Sequence, residues 1–460
     1  MRPNLSKSGR SCLFIGGNSS VDLWRGIIDN YTRIVCVTIF GAMALVAFER
    51  PGVWIGGVVR VSGRSLILFT VFSAFIPFSV ETPVGFVSPI DLIVGCLFLS
   101  AISVCVSNRR ILIANPSALL ACVFFFLSIV LTQIVNGAAE VSNTIKFMEF
   151  LVLIPLAISV LMARAEPISQ VLIARVMAIS ACVLALVVLF STFGGGRAGE
   201  VVNILGFKVN KNGLGSLLML GRGAAGFLAM LGKRRFWIVY LVIVTTILVI
   251  EARSAVLVAF ATVPLFAILV LPVSKAILFL LAGSIVSLIG LQFFVTTPAG
   301  NYYVDRLLLA FSFDMTTITS SNSRLLLWGQ AIREIAERPI LGWGYGSFTF
   351  KGTIRWLQHI SEPHNIFLQL LHNGGIIALG LFAIVVERLY RRASQAPLLL
   401  GLGRAYLIVK QVDIAFVRFD GHLFFILGAI AAFGLPPVKT QGRPGLPSTF
   451  VFHKRLPQRH

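Results

Sequence analysis

A succession of long apolar runs limits the fold of this chain more than any other feature. Many of the runs approach the ~20 residues that a helix needs to cross a bilayer. Lipid cannot satisfy unpaired backbone groups, so a run of this length must be helical there. The mean hydropathy of +0.90 over 460 residues is too high for a soluble fold, because too few polar residues remain to cover the core. The sequence therefore predicts an all-α, polytopic transmembrane bundle.

The apolar runs and the breaks between them predict about 12–13 spans. Their approximate bounds are 33–49, 65–80, 90–106, 117–135, 146–163, 170–193, 213–231, 236–251, 254–272, 276–296, 366–386, 397–409 and 422–435. The first residues are polar and basic and do not have the pattern of a cleavable signal peptide. The predicted regions are a basic N-terminal segment (1–32), transmembrane helices (33–296), a long outer loop (297–363), C-terminal transmembrane helices (364–436) and a basic tail (437–460).

Basic residues outnumber acidic ones, 39 to 18, and give a net charge of +21. In a membrane protein such residues set the topology and contact anionic headgroups, so membrane lipids rather than nucleic acid are the predicted partner. Basic loops, among them residues 233–235, and the basic tail alternate onto one side, which is then the cytoplasm. The loops 194–212 and 297–363 face outward, towards the periplasm. The orientation of the N-terminus stays open, because residues 33–60 could form one span or a helical hairpin.

The outer loop 297–363 has a pattern that predicts order. Leu325, Trp328, Ile332 and Ile335 recur at helical spacing after the capping residues Asn322 and Ser323, and Pro339 ends the helix. A glycine-rich turn with aromatic side chains follows at 342–346. An amphipathic helix and a flexible turn suit a lid over a site at the membrane face. The alternative is a loop that merely packs on the bundle.

Positive charge on the outer side contradicts the usual distribution, so it calls for a reason. Guanidinium groups bind phosphate oxygens with two parallel hydrogen bonds, which predicts a diphosphate at the outer face. Arg253 stands out because apolar runs flank it on both sides and only Glu251 is a nearby carboxylate. For the other residues, headgroup contact or a local ion pair is the alternative. The basic candidates besides Arg253 include Arg197, Lys208, Lys211, Arg324 and Arg338.

His364 is the candidate general base, because an imidazole accepts a proton from a hydroxyl near neutral pH. It precedes the apolar run that starts at Ile366, which places it at the membrane surface. The alternative is a helix cap or an ordinary surface histidine. His372 lies inside the same segment and is expected to be packed or hydrogen-bonded, and His359 is a second, weaker candidate.

The sequence lacks the motifs of nucleotide-binding and metal-dependent enzymes. The chain contains no Walker A motif, no GxGxxG motif between a strand and a helix, no HExxH motif and no DxD pair. The cysteines have no metal-ligand spacing. Asp91 and Glu149 are the main acidic residues in apolar segments, too few for a chain of buried acidic groups. We therefore predict no cofactor and no metal.

Two stretches of the C-terminal half carry ordered motifs. The first contains Ser323 and Arg324 and continues from Arg338 to Phe348; the second is Pro363, His364 and Asn365, followed after nine residues by Gly375. Together with Asn212 and Arg253, they make the region from about Gly194 to Phe433 resemble the O-antigen ligase and polysaccharide polymerase superfamily. The order and spacing of these motifs carry the resemblance.

The resemblance implies a GT-C-like, metal-independent, inverting glycosyltransferase of the bacterial inner membrane, with its site facing the periplasm. His364 would deprotonate the acceptor hydroxyl, and Arg253 would hold the leaving diphosphate. The residues implied in diphosphate or substrate binding are Arg197, Lys208, Lys211, Asn212, Arg324, Arg338 and Asn365.

The implied donor is an undecaprenyl diphosphate-linked glycan. The acceptor is lipid A-core for a ligase, or a lipid-linked glycan for an O-antigen or exopolysaccharide polymerase. A non-catalytic flippase or exporter of the same lipid-linked glycan is the alternative. An exporter needs a continuous polar path, whereas the inner halves of these segments are apolar.

Overall fold

The computed structural model describes residues 63–77, 79–82, 85–108, 113–137, 141–163, 167–193, 197–198, 201–204, 207–250, 267–268, 271–296, 320–352, 354, 362–410 and 419–435. Most of them are helical, as predicted. The predicted segments 1–32, 33–49 and 437–460, and nearly all of 254–272, lie outside the described residues.

The helices before the outer loop coincide closely with the predicted apolar segments. They are α1 (Gly63–Ser73), α2 (Pro89–Asn108), α3 (Pro116–Asn136), α4 (Val141–Met148), α5 (Ile154–Met162), α6 (Gln170–Phe193), α7 (Lys211–Met230), α8 (Phe236–Val249) and α9 (Val273–Val295). A π-helical turn, Glu149–Leu153, joins α4 to α5, so these two helices form one apolar rod.

The remaining helices include the predicted amphipathic helix and the C-terminal bundle. They are α10 (Ser320–Glu337), α11 (Ile366–Tyr390), α12 (Pro397–Val409) and α13 (Phe419–Ala429). A 3-10 turn, Arg391–Gln395, separates α11 from α12, and a π-helical turn, Ile430–Gly434, follows α13.

Six of the described helices are long and apolar enough to cross a membrane. Five shorter apolar stretches accompany them among the described residues. They are Gly63–Ser73, Phe236–Val249, Val273–Ile285 within α9, Pro397–Ile408 within α12, and Gly421–Gly434, which spans α13 and the turn after it. Large apolar side chains point away from the bundle, as in Phe190 at 77% exposure and Leu278 at 68%. A helix that is apolar on all sides is typical of a lipid environment, so the described helices fit a multi-pass membrane protein.

Two small antiparallel sheets correct the all-α prediction. The first pairs β1 (Val80–Thr82) with β2 (Gly85–Val87). The second contains β3 (Arg197–Ala198), β4 (Val201–Ile204) and β5 (Phe207–Asn210) in that order. Both sheets lie between helices, in the connections that follow α1 and α6. The predicted span 65–80 is accordingly shorter, because α1 ends at Ser73 and Val80 already begins the first sheet.

The bundle core is continuous and rich in aromatic rings. Phe150 stacks on Phe425, with ring centroids 5.4 Å apart, and Phe125 packs against Phe382 at 5.8 Å. α6 and α7 approach each other closely at Gly221, where an added Cβ would lie 2.0 Å from the Cβ of Ala181. Such close approach of small residues is a common way to pack transmembrane helices.

Candidate active site

His364 has the one left-handed backbone conformation, φ 54°, among the described residues that are not glycine. This conformation is uncommon for a residue with a Cβ and persists only where neighbouring contacts impose it. The residue sits directly before α11 and its side chain is half-buried. The strained backbone therefore makes His364 a candidate for function.

Three sets of hydrogen bonds hold the backbone around His364. The Asn365 side chain caps α11 by accepting from the backbone N–H groups of Phe367 and Leu368, at 3.0 and 3.1 Å. The N–H of Ile366 donates to the carbonyl of Lys410 at the end of α12, at 2.8 Å. On the other side, the Trp328 indole donates to the Pro363 carbonyl at 2.9 Å. His364 thus lies between two anchored residues.

The N-terminus of α11 is already saturated with hydrogen bonds. Besides the three N–H groups just described, the N–H of Gln369 donates to the Asn365 carbonyl at 2.8 Å. An open helix terminus would be an anion site, but here the first-turn donors all have protein partners. A diphosphate near His364 would therefore need basic side chains to hold it.

The glycine-rich turn rests on a kink in α11. Gly375 has φ 64° and ψ −163° inside the helix, and an added Cβ would lie 2.1 Å from the carbonyl oxygen of Ile340. At this kink the N–H of Trp343 donates to the His372 carbonyl at 2.7 Å, and that of Gly344 to the Asn373 carbonyl at 3.0 Å. The backbone groups released by the kink thus bind the turn.

Glu334 is the centre of a buried polar network beneath this turn. The Nε2–H of His372 donates to Glu334 Oε2 at 2.9 Å, because a carboxylate can only accept. Lys351 Nζ lies 2.8 Å from Glu334 Oε1, and Gln330 Nε2 donates to the same oxygen at 3.0 Å. The Trp343 indole donates to the Glu334 carbonyl at 2.7 Å. This network attaches α10 and the turn to α11.

The same hydrogen bonds set the ionisation of Glu334. Burial alone would raise its pKa, but the bonds from Lys351, His372 and Gln330 outweigh burial and lower the pKa. The bond to Glu334 in turn raises the pKa of Lys351. Glu334 is therefore a carboxylate at neutral pH.

Arg338 lies exposed just after α10, and two contacts orient its guanidinium. It donates to the side-chain oxygen of Asn136 at the end of α3 and stacks over the Trp343 ring at 4.0 Å. Asn136 also donates to the Gly342 carbonyl at 3.2 Å. A guanidinium has five N–H donors, so this arrangement leaves Arg338 able to bind an anion while its plane is fixed.

A cavity of about 20 Å³ lies between the turn and the bundle, lined by Tyr345, Phe147 and Gln369 among others. This volume suffices for about one water molecule. A sugar does not fit there, so a glycan would bind on the outer surface or after the turn has moved.

Comparison with protein families identifies the segment that carries these features. Residues 215–383 match the family model described as O-antigen ligase. We call residues 215–383 the O-antigen ligase domain, after the family model that they match. This result confirms the resemblance drawn from the sequence motifs. No curated protein matches the chain.

The O-antigen ligase domain includes His364, Asn365, Arg324 and Arg338. It also includes Arg253, which lies outside the described residues. The structure places Arg324 half-buried on α10 and Arg338 directly after it, while His364 and Asn365 begin α11. The Trp328 indole on α10 donates to the Pro363 carbonyl just before α11. This hydrogen bond links directly the two helical regions that carry these four predicted site residues.

The other four predicted ligands precede the O-antigen ligase domain. Arg197 lies in β3, and Lys208 lies in β5 opposite Asn203. Lys211 is the buried first residue of α7, and Asn212 follows it in the first turn. The residue that caps α7 is Asn210, whose side chain accepts from the N–H groups of residues 212 and 213 at 2.9 and 3.3 Å.

The sequence pattern predicts Leu325, Trp328, Ile332 and Ile335 as the apolar face of α10, but the structure buries a different face. The buried face is Leu327, Gln330, Ala331 and Glu334, whereas Ile332 is 57% exposed. The helix also begins at Ser320, so Asn322 and Ser323 lie in its first turn and do not precede it. The spacing of Gln330 and Glu334 with Leu327 could have indicated the buried face, but polar residues are normally assigned to the outside.

A second group of titratable residues lies in the helical bundle. Asp91, Glu149 and His422 present ligand atoms that all lie within 4.8 Å of one another. The sequence search for metal ligands considered only residues at motif spacing. These three come from distant helices, so that search could not find them.

Proposed function

We propose that this chain is a membrane glycosyltransferase that transfers or polymerises a glycan from a polyprenyl diphosphate carrier onto a sugar hydroxyl. The observation that carries the proposal is His364, held in a left-handed conformation at the start of α11 within the O-antigen ligase domain. Strained, over-determined backbone is concentrated at functional sites. The donor in this proposal is undecaprenyl diphosphate-linked glycan, and the acceptor is lipid A-core or another lipid-linked glycan.

His364 acts as the general base in this mechanism. The acceptor oxygen forms a bond to the anomeric carbon while the bond from that carbon to the diphosphate oxygen breaks. The hydroxyl proton moves to the imidazole, and the electron pair leaves with the diphosphate. Attack from the side opposite to the leaving group inverts the configuration at the anomeric carbon. The anchored backbone keeps the imidazole in place for this step.

Arginine side chains stabilise the departing diphosphate. Arg253 is the main candidate from the sequence, and Arg338 has a guanidinium already oriented by Asn136 and Trp343. Preorganised donors are most effective where charge develops in the transition state. Arg324, Lys211, Asn212 and Asn365 are further candidates on the described helices, and Arg197 and Lys208 on the small sheet. Because these cations can carry the developing charge, the mechanism includes no metal ion.

The proposed location is the bacterial inner membrane, with the site at the periplasmic face. Lys233, Arg234 and Arg235 form an exposed basic turn between α7 and α8, as expected of a cytoplasmic loop. In this proposal the other end of α7, with Asn210 and the small sheet, lies at the periplasmic side. The polyprenyl chain of the carrier would contact the exposed apolar side chains of the bundle.

The decisive experiment measures glycan transfer by the purified chain in proteoliposomes that contain lipid-linked donor and acceptor. His364→Ala should lower the rate by about 10²–10⁴-fold, the usual loss for a positioned base. Arg253→Lys should lose activity almost as fully as Arg253→Ala, because a point charge does not replace a planar fork. His460→Ala, in the C-terminal tail, is the matched control and should transfer normally.

Wild-type transfer rates in His364→Ala would contradict the mechanism. Movement of the lipid-linked glycan across the bilayer without covalent transfer would indicate the exporter instead. A strain that lacks the gene separates ligase from polymerase. Single-repeat caps on the core indicate a polymerase, and unattached long chains on the carrier indicate a ligase.

A further inference from the structure

The carboxylates of Asp91 and Glu149 converge with the imidazole of His422 in the bundle. Asp91 lies in the first turn of α2, Glu149 begins the π-helical turn after α4, and His422 lies near the start of α13. His422 Nε2 is 3.7 Å from Asp91 Oδ1 and 3.6 Å from Glu149 Oε2. His422 and Glu149 are only 4% and 7% exposed.

His422 forms no hydrogen bond with either of the two carboxylates that it faces. The distances from His422 exceed those of a hydrogen bond. Asp91 Oδ1, Glu149 Oε1 and both ring nitrogens of His422 are buried without a hydrogen-bond partner among the described residues. Buried polar atoms normally have partners, and each exception needs an explanation. An unpartnered imidazole therefore points into a pair of carboxylates.

Neighbouring residues fix the orientation of the three groups. The N–H and hydroxyl of Ser88 donate to Asp91 Oδ2, at 2.7 and 2.9 Å, which turns Oδ1 towards His422. The His422 ring meets Phe150 edge to face, with centroids 5.4 Å apart. Support of this kind orients the ligands in metal sites. π-helical turns, such as the one at Glu149, are also frequent at functional sites.

Lys146 is the cation that lies against the two carboxylates of this cluster in the structure. Its Nζ lies 2.5 Å from Asp91 Oδ2 and 3.4 Å from Glu149 Oε2. Two buried carboxylates share one ammonium and one imidazole, and buried charge is costly in a membrane bundle unless it is well compensated. The Lys146 side chain is 31% exposed, more than the other three, so it approaches from the open side of the cluster. It can therefore withdraw and admit another cation.

We propose that Asp91, Glu149 and His422 bind a divalent transition-metal ion of the Zn²⁺ or Mn²⁺ class. Bonds of ~2.1 Å at tetrahedral angles separate neighbouring ligand atoms by about 3.4 Å, close to the 3.7 and 3.6 Å between His422 Nε2 and the two carboxylate oxygens. Two oxygen donors and one imidazole favour such an ion over Ca²⁺ or Mg²⁺, which prefer oxygen alone. The ion replaces the ammonium of Lys146 between the carboxylates and links three helices. It stabilises the bundle and takes no part in the transfer reaction.

Metal analysis of the purified, tag-free full chain in detergent tests this site. After treatment with EDTA and removal of the chelator, Zn²⁺ titration followed by calorimetry should give one site per chain. Mg²⁺ at the same concentration should not compete. His422→Gln and Glu149→Gln should abolish the site, and the matched control His364→Ala should retain it, because His364 lies outside the cluster.

Lys146→Met keeps the test decisive if the ligand variants do not fold. Removal of the competing ammonium should tighten Zn²⁺ binding by at least about tenfold, since the lysine no longer has to be displaced. Absence of a Zn²⁺ site in both the wild type and Lys146→Met would overturn the proposal. So would unchanged Zn²⁺ affinity in folded His422→Gln, or in Lys146→Met.

Discussion

At the scale of single residues, the backbone at the start of α11 is held more tightly than the sequence alone indicates. His364 accepts a left-handed backbone because Trp328, Asn365 and Lys410 hold the atoms on either side of it. A glycine would relieve the strain but would lose the imidazole. The presence of a histidine at φ 54° therefore supports a role of its side chain.

Glu334 should make the attachment of residues 338–352 to α11 depend on pH. Its pKa is lowered in the folded chain, so the stability that it contributes is complete above its ordinary value of 4.5 and is lost as pH falls towards the lowered pKa. We expect amide hydrogen exchange in residues 338–352, corrected for intrinsic rates, to accelerate over this acidic range. Glu334→Gln should exchange faster at pH 7 and should lose the acid dependence.

Glu337→Gln is the matched control, because Glu337 is exposed at the end of the same helix. It should behave like the wild type at every pH. An equal acid dependence in Glu334→Gln would show that another group controls the attachment of the turn.

At the scale of elements, the contact between the glycine-rich turn and α11 depends on Gly375. Gly375→Ala places a Cβ against the Ile340 backbone in a left-handed conformation and should cost about 1–3 kcal/mol. We expect a lower melting temperature and faster exchange in the turn. Gly380→Ala in the same helix is the control, because its Cβ meets nothing within 4 Å. Equal effects of the two substitutions would show that the turn does not rest on the kink.

The sequence predicts some of these elements well and others not at all. Length and composition locate helices such as α3 and α6, because a long apolar run in lipid has no other conformation. The kink at Gly375 and the π-helical turn at Glu149 depend on contacts with distant elements. The burial of Glu334 depends on His372, 38 positions away. The sequence predicts His364 as a site residue, but its backbone conformation results from residues of α10 and α12.

At the scale of the whole molecule, the predicted topology places α10 and the start of α11 in the periplasm. Single cysteines at Ala336 and Ser394, both exposed, test it in a variant whose six native cysteines are replaced. In intact cells, an impermeant thiol reagent should label the cysteine at 336 and should not label that at 394, because the basic residues around Ser394 mark the cytoplasmic side. The reverse pattern would contradict the topology and the periplasmic site.

Hydrogen bonds between the O-antigen ligase domain and residues outside it limit where the chain can be cut into fragments. Ile366 depends on the Lys410 carbonyl, beyond the end of the family match, and Arg338 and Gly342 depend on Asn136, before its start. A fragment cut at residues 215 and 383 would lose the Lys410 carbonyl that binds Ile366 and the Asn136 side chain that binds Arg338 and Gly342. Fragments for expression, or chimaeras that exchange α10, the glycine-rich turn and α11 between relatives, should therefore include α3 and α12.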